Sequence, residues 1–202
     1  SILEPDSTYI PALNNSSSVL LRGDSRIKLL TYLDMNLEDI IASCLTDPFE
    51  KAEIFYYLAY RRLRVAYKNP GTISVFGIKQ IADILVEHIL ADRKIMDQIF
   101  GIMQDNIYKT MENPECIIMH SLNVGILATF FVAKILEHIS RNILKDIALS
   151  YFFHNVGMMR IPQKIVDFTG PLAGDQWSLV RQHPYFGLEV MKEIKGIPSE
   201  MV

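Results

Sequence analysis

The sequence predicts a mainly α-helical fold, a helical bundle in which a small N-terminal region of about residues 1–73 precedes a longer unit of about 74–202. Three observations carry that expectation. Apolar residues recur at three- and four-residue steps, as in Ile78, Ile81, Leu85 and Ile89, then Ile95, Ile99 and Ile102. Capping residues stand where helices would start: Asp47 before Pro48 with Glu50 following, and Ser140 before Arg141. Half of the 202 residues are hydrophobic and 21% are charged, which supports a buried core and excludes a disordered chain.

Residues 1–35 are patterned differently from the rest. Asn14-Asn15-Ser16-Ser17-Ser18 has the composition of a loop. Val19-Leu20-Leu21 and the run from Ile27 to Tyr32 flank Gly23-Asp24 in the manner of a short hairpin. From Asn36 onward the spacing is helical. A long helix opens at Asp47-Pro48 and stops at Asn69-Pro70-Gly71. The stretch from Ser74 to Met111 reads as one long helix or two shorter ones, broken at Asn113-Pro114. Helices follow at about 115–138 and 141–155. Gly157, Pro162, Gly170-Pro171 and Gly174 then punctuate a loop-rich segment with a short helix near 162–168, and helices near 175–183 and 185–195 complete the chain.

Composition narrows the function. A formal charge of −3 gives no basic surplus for nucleic acid or an acidic membrane. Two cysteines, Cys44 and Cys116, cannot build a disulfide framework, so reduced thiols in a cytoplasmic protein are expected. No formal charge occurs from Cys116 to Ala133, a length that would reach across a bilayer. His120, Ser121, Asn123 and Gly125 crowd its first half, however, which favours a buried helix over membrane insertion. The first ten residues show no secretion signal, and the missing initiator Met fits a processed or excised fragment.

Candidate chemistry centres on histidine. His88 and His138 sit beside Glu87 and Glu137 on amphipathic helices and read as surface residues. His120 lies near the start of the uncharged helix, His154 ends an apolar one just before Gly157, and His183 precedes Pro184 at a helix junction. Imidazoles at the ends of separate helices can assemble a metal site in a bundle, and they serve equally well as hydrogen-bonded core residues. The run from Tyr60 to Lys68 interleaves basic and aromatic residues, which a helix with an apolar face and an arginine face also explains. Trp177 reads as a core anchor. No phosphate loop or dinucleotide fingerprint is present.

The segments HSLNV from His120, ALSYFFHNVGMMRIPQKIVDFTGPL from Ala148 and VRQHPYFGLEVM from Val180 resemble the HD-GYP branch of the HD-domain metal phosphohydrolases. That family has a His-Ser opening one helix, a His-Asp pair ending another, a Gly-Lys just after it, an Ile-Pro loop and then a His-Pro. The resemblance spans about Glu115 to Glu193. It implies an HD-domain-like helical bundle with two or three iron or manganese ions that hydrolyses the signalling nucleotide cyclic di-GMP by two-metal phosphodiester cleavage. Carried over by position, His120, His154 and His183 are the implied metal ligands.

The departures bear directly on that activity. Asn155 stands where the family has its bridging Asp, and a neutral amide is a poorer donor for paired cations. Met158 stands where the family has Lys, removing a partner for a substrate phosphate, and Arg160 could replace it only if the loop is reshaped. The chain stops at Val202, before the family's later histidine pair and Gly-Tyr-Pro loop. The expectation is therefore at most one iron or manganese ion, held by His120, His154 and His183 with Asn155 as a weak ligand, or none. The function expected first is a degenerate, non-catalytic module for signalling, nucleotide binding or protein interaction, with cyclic di-GMP or a signalling protein as partner. A metal-dependent cyclic di-GMP phosphodiesterase of which this chain is a fragment is the alternative. A helical scaffold protein with structural resemblance only is the third. The apolar first helices would suit a homodimer, and burial within one chain uses them equally well.

Overall fold

Helix α3, Pro48–Lys68, is the element on which the others are arranged, and its start is written in the sequence. Pro48 needs no hydrogen bond at the first helical position, and the Asp47 carboxylate accepts from the Phe49 N–H at 2.8 Å. The computed structural model describes residues 9–11, 18–20, 23–69, 75–110, 116–136, 138–194 and 196–197. Over these the fold is mainly α-helical. Before α3 come α1, Gly23–Met35, and α2, Leu37–Ala42. After it come α4, Phe76–Ile84, α5, Arg93–Thr110, α6, Cys116–Ile135, and α7, Arg141–Phe153. The chain then forms the short α8, Gln163–Val166, α9, Gly174–Val180, and α10, His183–Glu193.

One face of α3 supplies the centre of the core. Phe55, Tyr56, Leu58, Ala59, Leu63 and Tyr67 are all essentially inaccessible. They meet Ile78, Ile81 and Leu85 of the α4 region, Ile95 and Ile99 of α5, and Leu122 and Ile126 of α6 in a single hydrophobic cluster. Leu33 and Leu37 from the first two helices join the same cluster. Burying each such side chain contributes roughly 1.5–3 kcal/mol.

Several expectations change in detail. The hairpin does not turn at Gly23-Asp24, because residues 23–35 are helical. The paired strands lie earlier, β1 at Tyr9–Pro11 and β2 at Ser18–Leu20, antiparallel with Tyr9 opposite Leu20. The apolar run over 27–32 is too short to separate strand from helix. The 74–111 stretch resolves into two helices joined by a π-helical turn at Leu85–Ile89, and the Asp92 carboxylate restarts the second by accepting from the Lys94 N–H at 2.9 Å. The proline stops at Pro70 and Pro114 and most of the Asn14–Ser18 loop lie outside the described residues.

Arg62 does not occupy a solvent face of α3. Its side chain is 14% exposed and ties α3 to two neighbours. It donates to the Asp34 carboxylate and carbonyl, both at 2.8 Å, to the Gly77 carbonyl at 3.0 Å and to Gln80 Oε1 at 2.8 Å. Trp177 is not a core anchor either. It is 49% exposed, with the Arg181 guanidinium 5.8 Å from its ring centroid. Helix α9 is only seven residues long and buries none of them, so its aromatic remains at the surface.

Helix α6 is the one described helix long and apolar enough to cross a membrane by length and composition. Its inward face is buried, including the polar Ser121 and Thr129, the latter donating to the Gly125 carbonyl at 2.6 Å. Cys44 is exposed, Cys116 is half-buried, and both are free.

Candidate functional site

The close crossing of α6 and α7 brings two of the predicted histidines together. Where the helices meet, Gly125 has no side chain, and a Cβ there would lie 2.3 Å from the Phe152 ring. Below this contact the rings of His120 and His154 stand 5.5 Å apart, tilted by 57°. Partial burial of the His120 ring, and secondarily the charge of His154, hold its imidazole below the ordinary histidine range.

His154 terminates α7, and its hydrogen bonds define its tautomer. Nδ1 lies 2.6 Å from the Tyr151 carbonyl, which can only accept, so Nδ1 carries the proton. In the neutral ring Nε2 then holds a lone pair. The Asn155 amide nitrogen donates to it at 2.8 Å. The nitrogen that would face a metal is thus occupied by the chain's own next residue.

The chain continues as a 3-10 turn, Val156–Arg160, in which the Met158 N–H donates to the Asn155 carbonyl at 2.9 Å. This turn lies directly on the start of α10. A Cβ at Gly157 would meet the His183 carbonyl at 1.9 Å and the Gly187 nitrogen at 2.3 Å, so only glycine fits. His183 is thereby placed beside the turn. Its Nδ1 lies 2.8 Å from the Val180 carbonyl, the same arrangement as in His154, which leaves Nε2 as the acceptor nitrogen of the neutral ring.

The other candidates take different positions. Arg160 is at the surface and donates to Glu193 of α10 at 2.9 Å. Met158 is half-buried within the turn. His138 is exposed, and His88 is partly covered with Nε2 3.9 Å from a Glu38 oxygen.

Two residues that hold the site have no counterpart among the sequence candidates. Tyr67 is buried, and its hydroxyl is 2.9 Å from both Ser121 Oγ and the Phe152 carbonyl. Tyr56 donates to Asn123 Oδ1 at 2.6 Å. Burial pushes both phenols well above their usual pKa range, so both remain protonated donors. Their positions, with Leu63 between them, fall on one face of a helix, and a buried tyrosine needs a partner for its hydroxyl.

The implied metals can be tested against this geometry. Among the described residues no group of three or more His, Cys, Asp or Glu is placed to hold an ion. His120 and His154 adjoin each other, among the described residues no carboxylate joins them in such a group, and an amide caps one ring. These residues, as arranged, do not fit a paired-cation centre, which needs bridging negative charge.

Comparison with protein-family models, with curated proteins and with solved structures gives no significant match to the chain. The class defined by fold and site is a mainly helical chain with a histidine pair at the junction of two crossed helices, one ring closed by an amide.

Proposed function

We propose that the chain is a non-catalytic signalling module of the HD-GYP kind, which acts by binding rather than by hydrolysis. The observation that carries the reading is the Asn155 amide donating to His154 Nε2 at 2.8 Å. A carboxylate at that position would attract a cation, whereas the amide supplies no charge and neutralises the ring's lone pair by a hydrogen bond. Two further features favour it. Met158 offers no positive partner for a phosphate, and Arg160 is engaged by Glu193. On this reading α6 belongs to a cytoplasmic bundle, with cyclic di-GMP or a signalling protein as the partner.

The test is metal analysis of the purified chain together with a cyclic di-GMP hydrolysis assay in manganese or iron. Asn155→Asp is run alongside, and calorimetry measures nucleotide binding. The expected result is at most one equivalent of metal and no turnover in the native chain. Two or more equivalents of metal, or hydrolysis at enzyme-like rates, overturns the reading in favour of a phosphodiesterase. Nucleotide binding without turnover assigns the ligand, and its absence with no metal directs the search to a protein partner.

A further inference from the structure

The Tyr67 hydroxyl is a junction of three chain segments. Tyr67 is 2% exposed and lies in the last turn of α3, while its bonding partners lie on α6 and at the end of α7. The phenol has one proton to give, and the Phe152 carbonyl at 2.9 Å can only accept it. The Ser121 hydroxyl, also at 2.9 Å, is then left to donate back to the phenol oxygen. Ser121 follows His120 in the chain, and Phe152 lies two residues before His154. One oxygen therefore ties a position beside His120 to one close before His154.

We infer that Tyr67 is the positioning residue of the histidine pair, coupling the placement of His120 and His154 to helix α3. The alternative, that packing alone sets the pair, is disfavoured by what surrounds it. Ser121 is fully buried, and a buried hydroxyl left without a partner costs about 1–3 kcal/mol. Removing the phenol oxygen takes this partner from the Ser121 hydroxyl and the Phe152 carbonyl together. Ser121 adjoins His120, and one residue separates Phe152 from His154, so a shift of either group bears on the pair. A displacement of α3 would reach the site by the same route. This inference rests on reading the pair as the functional site.

The experiment is imidazole NMR on the full chain without added metal or nucleotide. The native protein should show His154 as the Nδ1–H tautomer and a cross-peak between the His120 and His154 rings. Tyr67→Phe should lose the cross-peak and the single-tautomer signature while remaining helical. Leu63→Ala, a buried apolar truncation on the same face of α3, should keep both. A folded Tyr67→Phe protein with both signatures intact overturns the inference. If that variant does not fold, Ser121→Ala decides: it should shift the same two sets of resonances, and unmoved resonances overturn the inference. Neither readout requires catalysis, so turnover by the native chain would sink the functional reading and leave this one standing.

Discussion

Helices α6 and α7 form a hairpin whose two ends are built in opposite ways. The end away from the turn is closed by burial, and the end at the turn between Ile135 and Arg141 is open to solvent. At the closed end, buried neutral groups meet: Ser121 and the Phe152 carbonyl share Tyr67, and the turn at Gly157 touches the backbone of α10. At the open end Phe131, Ile135, Leu136 and Ile143 are each more than half exposed. At that end surface charge adds to packing against the neighbouring helices. Lys145 reaches Glu87 at 2.8 Å and Asp83 at 3.3 Å, and Arg141 also pairs with Glu87. Buried hydrogen bonds have narrow geometry and a large penalty for breaking, whereas exposed ion pairs tolerate movement and are screened by salt. Atoms are fixed at the closed end, and the open end is held loosely.

The largest expected effect tests the closed end. Gly157→Ala would place a methyl against backbone atoms of His183 and Gly187 that cannot rotate aside. We expect a loss of about 3 kcal/mol, at the upper end for overpacking, seen as a lower urea midpoint with an unchanged slope. Gly187→Ala is the companion, because its nearest atom would be Gly157 N at 3.6 Å, an ordinary contact. It should change stability by about 0.5 kcal/mol or less. Equal costs for the two would show that the turn does not seat on α10 as described.

The helices were legible because their signals are local. Asp47, Pro48 and Ser140 act within one turn, and the apolar spacing of Ile78 to Ile102 reports directly on a buried face. The pairing of His120 with His154 was less legible. Sequence order, aided by a family resemblance, named both residues, but their approach depends on Gly125 accepting the Phe152 ring across 27 positions. Tyr67 was hidden for a different reason. In the run from Tyr60 to Lys68 it reads as one more aromatic among basic residues, and only the fold shows that its hydroxyl meets groups 54 and 85 residues away. Arg62 was obscured in the same way, since an arginine that bridges helices looks like any surface charge until Asp34 and Gln80 are placed beside it. Trp177 misled because size suggests burial, while the shortness of α9 decides otherwise.

A smaller effect probes the charges at the open end. The hydrogen bond from Lys145, with Arg141 adding to it, holds the Glu87 carboxyl below the usual carboxylate range. A carboxylate whose pKa is lowered by folding stabilises fully above its unfolded value of about 4.3, and that contribution is lost as pH falls through the lower folded value. Glu87→Gln should therefore cost about 0.5–1 kcal/mol at neutral pH, because the pair is partly exposed. The difference from the native chain should vanish in acid and shrink in 1 M salt. A difference that persists below pH 3, read from thermal melts across pH, would assign the loss to packing instead of charge.

The smallest effect belongs to the exposed apolar residues. Ile135 is 74% exposed and Phe131 55%, so replacing either with Ser removes little surface from contact with the protein. Each should change stability by about 0.5 kcal/mol or less. The adjacent Phe130 is the contrast. It is half-buried and packs edge-on against Phe100 with ring centroids 5.4 Å apart, and Lys134 lies 5.5 Å from its centroid. Phe130→Ala should cost about 1–2 kcal/mol, of which the ring pair alone supplies about 0.5–1.5. Calorimetric melts of the three variants at one concentration compare them directly. A loss above about 2 kcal/mol for Ile135→Ser would mean that the open end is covered and packed, since a residue that keeps its contact with water has no such energy to lose.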